Sequence, residues 1–234
     1  MQARLGYFTP AQRAKLAEAR VGIAGAGGLG SNVAMMLARS GVGNLVLIDC
    51  DTVEASNLNR QHYFPRHLGR PKVDALAEQI RELDDAITLE TRCLRLDAAN
   101  IPALLPLADI WVEALDDAHI KAMFAALALR AGKPVVSASG MGGFGGRNMA
   151  RRVLGTRPYS DAAKVASPAP DSLTPGGPSA RNAPARHPIM AVVGDFEADV
   201  AQLPPLAPRV IQCAAMQADA VLEWLFTGKL EPLL

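Results

Sequence analysis

Four side chains stand in an order that suits phosphate chemistry: the carboxylate of Asp49, the cations Arg60 and Lys72, and the carboxylate of Asp116. Ahead of them, Gly25, Gly27, Gly28 and Gly30 follow the short apolar run Val21-Gly22-Ile23-Ala24. Such a run reads as a buried parallel strand. Glycines directly after it let the backbone turn tightly and bring the amides of the next helix against an anion, where side chains would block the approach. Asp49 ends a second apolar run, Leu45-Val46-Leu47-Ile48, where a carboxylate can accept hydrogen bonds from both hydroxyls of a ribose. Glycines and acid alone fit an ordinary NAD enzyme equally well. The cations separate the two readings, because an NAD site needs no cationic cluster in addition to its ribose carboxylate. Arg60 sits within Ser56-Asn57-Leu58-Asn59-Arg60-Gln61, and Lys72 ends Gly69-Arg70-Pro71-Lys72, a pattern that suits a triphosphate. Asp116 follows a further apolar strand, where a carboxylate near cations makes sense as a magnesium ligand. The competing reading of a lone Asp there is a helix N-cap, and that role is assigned to its neighbour Asp117.

The elements that must position these groups alternate. Thr9-Pro10-Ala11-Gln12 is a capping box with proline at the first helical position, so a short helix runs to about Glu18. After the glycines, Ser31 to Ser40 reads as a buried helix ended by Gly41. Val73, Leu76, Ala77, Ile80 and Leu83 recur at helical spacing from Pro71, and Ile87 to Cys93 alternates as a third strand. Asp109 to Ala114 reads as a fourth strand, Ala118 to Arg130 as a helix, and Val135 to Ala138 as a fifth strand. Alternation of this kind demands right-handed crossovers, giving an α/β, Rossmann-like, doubly wound and mostly parallel sheet with helices on both faces. Its ligands belong at the C-terminal ends of the strands. The stretch from Thr156 to Pro188 is rich in Pro, Ala, Ser and Gly and reads as a mobile crossover loop. Order resumes with an apolar strand at 189–193, and Pro208 opens a last helix with a wide apolar face.

In order, the motifs GxGGxG, Leu-Ile-Asp-x-Asp, Ser-Asn-Leu-x-Arg-Gln and x-Pro-Lys resemble those of the ThiF/MoeB/HesA group of ubiquitin-activating-enzyme-like adenylyltransferases, most closely a short ThiF. That resemblance implies ATP and Mg²⁺ as cofactors. It implies a nucleotide site built from Gly25, Gly27, Gly28, Gly30, Asp49, Asp51, Ser56, Asn57, Asn59, Arg60, Gln61 and Lys72, with Arg60, Lys72 and Asp116 carrying the chemistry and Asp116 holding the metal. It also implies a small ThiS-like sulfur carrier as partner, whose C-terminal Gly-Gly carboxylate is adenylylated for thiamine thiazole synthesis. A separate sulfur-transfer enzyme would act downstream, and a homodimer is the usual assembly. The second glycine-rich segment, Ser137 to Gly146, is placed to bind the carrier tail through its main chain, although turn chemistry alone allows an unliganded turn equally. Arg147, Arg151 and Arg152 behind it are candidates for attracting an acidic carrier. Relatives lend an arginine to the opposite subunit's site, for which Arg4 is the candidate. Alternatives are a molybdopterin-synthase carrier, a tRNA-bound carboxylate, or, from another class, an NAD-binding or non-catalytic Rossmann module.

The whole chain of 234 residues is expected to form one adenylation domain. A formal net charge of +1 gives no general attraction to nucleic acid or acidic membrane. Lacking a long uninterrupted apolar run and a charged leader, the chain is expected in the cytoplasm. Cys50, Cys93 and Cys213 form no CxxC pair, so neither a disulfide framework nor a zinc site is expected. Each reads as a small buried hydrophobe. His62 and His119 lack metal-ligand spacing and read as structural.

Overall fold

A computed structural model describes residues 5–145, 148–154, 189–199 and 202–232. In chain order the elements are α1 (Pro10–Glu18), β1 (Arg20–Ala24), α2 (Gly28–Arg39), β2 (Asn44–Asp49), α3 (Lys72–Leu83), β3 (Thr88–Cys93), α4 (Ile101–Leu104), β4 (Ile110–Glu113), α5 (Ala118–Arg130), β5 (Val135–Ala138), β6 (Ala150–Leu154), β7 (Met190–Gly194) and α6 (Ala207–Thr227). The sheet has seven strands in the order β3-β2-β1-β4-β5-β7-β6. All neighbours are parallel except β6 on β7, which pair antiparallel from Ala150↔Gly194 to Leu154↔Met190. The chain winds outward from β1 on both sides, so the doubly wound reading holds.

Strand residues divide between two cores by the period of two that a pleated sheet imposes. Val21, Ile23, Leu45, Leu47, Ile110 and Val112 join the core that contains buried residues of α2, α3 and α6. Ala24, Val46, Ile48, Trp111 and Val135 point to the other, with Phe124 and Ala128 of α5. Burial on both faces is why these strands read as unbroken apolar runs. On β1, a side chain at Gly22 would come within 2.4 Å of the Trp111 ring. Trp111 fills that space, meets Phe124 edge-on at 5.4 Å and donates its indole N–H to the Leu105 carbonyl at 3.1 Å.

Helix ends follow their sequence signals. Thr9 and Gln12 form the reciprocal cap at α1, and Gly228 closes α6 at φ +69°. The second helix starts at Gly28 rather than Ser31, so the glycines themselves form its first turn. The short α4 and the edge strand β6 were outside the sequence expectation. Two of the three cysteines correct it: Cys50 and Cys93 are exposed, and only Cys213 is buried. Cys93 ends the edge strand β3 and Cys50 lies just past β2, positions that hydropathy alone does not distinguish from core. The expected crossover loop at 156–188 and the candidate Arg4 lie outside the described residues. Among the described residues, no helix is long and apolar enough to cross a membrane.

Candidate active site

Glycine is required in the first loop by backbone contact. Gly25 has φ +96°, a conformation side chains disfavour, and a Cβ there would lie 2.5 Å from the Ala114 carbonyl oxygen. Its amide donates to Ile48 O at 2.8 Å. At Gly30 a Cβ would stand 1.8 Å from Gly25 O, so helix and strand touch there. The loop after β4 is thereby pressed against the glycine turn. Gly27 caps α2 without any side-chain hydrogen bond, leaving the opening amides of a twelve-residue helix facing the C-terminal ends of β1 and β2, an anion-binding geometry.

Asp49 braces this turn. One carboxylate oxygen accepts from the Ala26 amide at 2.6 Å and the other from the Asp51 amide at 2.8 Å. Burial pushes its carboxyl up, while those two backbone bonds and the nearby Lys72 charge pull the other way. The Tyr63 hydroxyl donates to Ala26 O at 2.7 Å and Lys72 O at 3.3 Å, and burial holds that phenol well above its ordinary range. Lys72 opens α3, is 6% exposed, and gives its ammonium to Asp51 at 2.7 Å. The anion that a cation at a helix start calls for is therefore Asp51, whose carboxyl is held below its usual value by that hydrogen bond.

Arg60 is placed differently. Among the described residues, its guanidinium reaches only neutral acceptors, Ser56 O at 3.2 Å and Asn59 Oδ1 at 2.8 Å. Its Cγ would lie 3.6 Å from a Cβ at Gly28, and Val210 of α6 covers the same glycine at 3.1 Å. Ser31 and Asn32, polar residues in the first turns of α2 that hydropathy and spacing do not single out, hold this segment down. Asn32 Nδ2 donates to Gly28 O at 2.6 Å and Arg60 O at 3.0 Å, while Ser31 Oγ donates to Gly27 O at 2.6 Å and accepts from the His62 amide at 2.9 Å. Gln61 carries a buried Oε1 with no hydrogen-bond partner among the described residues. Asn57 is buried and accepts from the Glu54 amide at 3.0 Å, and the exposed Ser56 donates to Glu54 at 3.3 Å. His62 bonds Gln79 at 3.0 Å, a structural arrangement as expected.

Beyond β4, Asp117 is the N-cap of α5, accepting from the His119 and Ile120 amides at 2.8 and 3.0 Å. Those two bonds hold its carboxyl below the ordinary range. Asp116, one residue earlier, is exposed and makes no hydrogen bond or ion pair with any described residue. A free carboxylate at a strand end suits a hard cation. In the cluster Asp49, Cys50 and Asp51, by contrast, the carboxylates already serve backbone amides and Lys72. The carboxylate that could take up a hard cation without losing a described partner is therefore Asp116.

The second glycine segment leaves β5 and lies against the chain after β7. Gly140 has φ +78° and a Cβ there would meet Asp195 Oδ1 at 2.1 Å. Asp195 caps its own turn through the Glu197 and Ala198 amides and pairs with Arg209 at the start of α6. Gly143 donates to Pro204 O at 2.9 Å, and Phe144 beside it is 86% exposed. Of the three arginines, Arg147 lies outside the described residues. Arg151 corrects the expectation of a surface cation: it is 3% exposed and binds Glu223, Asp219 and the Glu231 carbonyl. Arg152 stacks on the Phe196 ring at 4.0 Å. A groove of about 680 Å³ lined by Lys15, Asp109, Lys133 and Trp224 lies at the opposite ends of the strands from the glycine turn.

The model of the ThiF family matches residues 1–233. The chain belongs to the ThiF family. Among curated relatives, the adenylyltransferase and sulfurtransferase Uba4 of Emericella nidulans is 40% identical over 128 residues, covering 54% of this chain and 27% of that protein. Uba4 of Yarrowia lipolytica is 34% identical over 122 residues, covering 52% of this chain and 31% of its own length. The chain thus matches less than a third of these longer relatives. Its fold is shared over nearly its whole length with the E. coli tRNA N6-threonylcarbamoyladenosine dehydratase TcdA, solved in complex with ATP (TM-score 0.76, 20% identity, 97% of this chain and 95% of that one). E. coli MccB, solved with ATP, is more distant at a TM-score of 0.61 and 22% identity over 92% of this chain and 57% of that chain.

Proposed function

We propose that this ThiF-family chain is an adenylyltransferase that uses ATP to convert a carboxylate into an acyl-adenylate, and that its substrate is the C-terminal Gly-Gly carboxylate of a small ubiquitin-like sulfur carrier of the ThiS type. The observation that carries this reading is Arg60: a guanidinium that among the described residues has only neutral partners, held across Gly28 beside opening amides of α2 that no described side chain caps. Such a pair of features calls for a polyanion. Asp49 stands at the end of β2 for the ribose, Ser56, Asn57, Asn59 and Gln61 line the same side, and Lys72 reaches the phosphates from its pairing with Asp51.

The carrier carboxylate attacks the α-phosphate in line and pyrophosphate leaves, so no protein nucleophile is needed. Arg60 and the α2 amides offset the charge that develops on the phosphate oxygens. Asp116 would hold Mg²⁺, which when bound neutralises charge on the departing pyrophosphate. The exposed main chain at Phe144 and Gly145 and the Phe144 ring receive the carrier tail, and a sulfur-transfer enzyme consumes the acyl-adenylate. A homodimer is the assembly this reading expects. The name of the Uba4 relatives, adenylyltransferase and sulfurtransferase, supports the same class of reaction.

The test is ATP–pyrophosphate exchange with a purified ThiS-like carrier, with that carrier lacking its last glycine, and with a threonylcarbamoylated tRNA. Exchange with the intact carrier alone is the expected result. Exchange with the tRNA alone would reassign the substrate, and tight NAD binding without ATP binding by calorimetry would overturn the activity.

A further inference from the structure

We infer that Glu113 is a positioning residue that sets the Asp116 loop and the second glycine segment relative to each other, an inference that rests on the adenylylation reading for its catalytic meaning. Glu113 ends β4 with its side chain 0% exposed on the α5 side of the sheet. A carboxylate so placed must be fully hydrogen-bonded, and it is bonded to three elements. Its Oε1 accepts from the Leu115 amide at 2.8 Å, which folds the chain back at the residue before Asp116. Its Oε2 accepts from Lys121 Nζ on α5 and from Ser137 Oγ on β5, each at 2.5 Å. Ser137 is 3% exposed and lies two residues before Ser139, whose carbonyl accepts from the Phe196 amide at 3.2 Å next to the glycine turn.

The backbone around the carboxylate is fixed from the other face as well. Gln217 of α6 donates to both Glu113 O and Val136 O, at 3.1 and 3.2 Å. The Leu115 amide and Ala114 carbonyl also crowd Gly25. One buried charge therefore fixes where Asp116 stands relative to the nucleotide turn and to the strand that leads into the carrier segment. An apolar residue would fill the volume without specifying either. In Glu113→Gln one of the three donors must go unsatisfied, since the amide offers one acceptor oxygen in place of two.

The first measurement needs no ligand. By hydrogen exchange of the free protein, the Leu115 to Asp117 amides of Glu113→Gln should exchange about 10-fold faster than wild type, the scale of a lost charged hydrogen bond. Ser137→Ala, which keeps the ion pair, should show a smaller increase of about 3-fold and carries the test if Glu113→Gln does not fold. The second is Mn²⁺ affinity of the ATP complex by electron paramagnetic resonance. Glu113→Gln should weaken it about 10-fold, as for other groups that orient a metal ligand, and should add nothing in an Asp116→Ala background. Unchanged Leu115 exchange in both single variants, or full additivity with Asp116→Ala, overturns the inference. Failure of wild type to bind ATP would instead overturn the adenylylation reading, with the exchange data still deciding the positioning role.

Discussion

The two glycine-rich segments have similar composition and different physics. In the first, Gly25 and Gly30 are forced by backbone atoms that a Cβ would strike at 2.5 and 1.8 Å, and the turn runs straight into α2. In the second, Gly140 is forced by Asp195, yet a Cβ at Gly145 would meet nothing, and the chain leads to an edge strand rather than a helix. The first therefore offers fixed amides at a helix start, and the second offers accessible main chain at the exposed Phe144 and Gly145. Glycine content alone does not separate an anion cradle from a surface for an extended chain. The element into which the glycines lead does.

The widest gap between the segments should appear in stability. Gly30→Ala is expected to cost about 3 kcal/mol or more, since the clash is with backbone that cannot repack. Gly145→Ala should cost only about 1 kcal/mol, for a left-handed residue in open space. Urea midpoints of the two variants measure this, and equal losses would erase the distinction. In catalysis, Asp116→Ala should lower the exchange rate about 10²-fold with carrier affinity retained. Phe144→Ala should weaken carrier binding and leave ATP affinity unchanged. Calorimetry with each ligand separates these outcomes, and loss of ATP binding in Phe144→Ala would move the nucleotide to the second segment.

A smaller effect distinguishes the two cations. Arg60→Ala should weaken ATP binding about 10-fold or more, the scale of a hydrogen bond to a charged group. Lys72→Met should also change the acid limb of stability. The Asp51 carboxyl is depressed by Lys72, so its contribution is complete above the unfolded carboxylate pKa of about 3.9 and is lost as pH falls through the lower folded value. Removing Lys72 should flatten that part of a Tm-versus-pH curve, by a modest amount because the Asp51 side chain is 58% exposed. An unchanged curve would show that the pair does not form in solution.

The smallest effect concerns the thiols. Cys50→Ser with Cys93→Ser should leave exchange activity at wild type, because no step uses a thiolate. Burial pushes the Cys213 thiol up to about 12, so iodoacetamide at neutral pH should label the two exposed cysteines and spare it. A carrier-linked thioester on any of the three would contradict the mechanism.

Sheet, helix order and the glycine turn were legible because apolar period, proline and glycine are local signals. Thr9, Gln12, Asp117 and Gly228 took the cap and stop roles their types favour. Partnership was less legible. The pairing of Arg151 with Asp219 and Glu223 joins an edge strand to a helix far along the chain, and an arginine beside another arginine reads as a solvated surface until that helix is in place. Ser31 and Asn32 look like ordinary polar residues at a helix start, and Glu113 like a polar interruption at a strand end. Their importance comes from the groups that crossover connections bring opposite them, which sequence spacing does not contain. Lys72 was read as a cation for the triphosphate, and in the structure its ammonium pairs with Asp51, a partner that its place at a helix start does not reveal.

The register Leu154↔Met190 has a consequence for how this architecture diversifies. The last residue of β6 and the first of β7 are already neighbours across the sheet, so the chain between them leaves and re-enters at one point. Exchange of that stretch for a longer, shorter or foreign one alters closure entropy only logarithmically and leaves every strand pairing intact. It is a natural cassette position, where a new module can be grafted, or the chain reopened by circular permutation, without disturbing the nucleotide turn at the other side of the sheet.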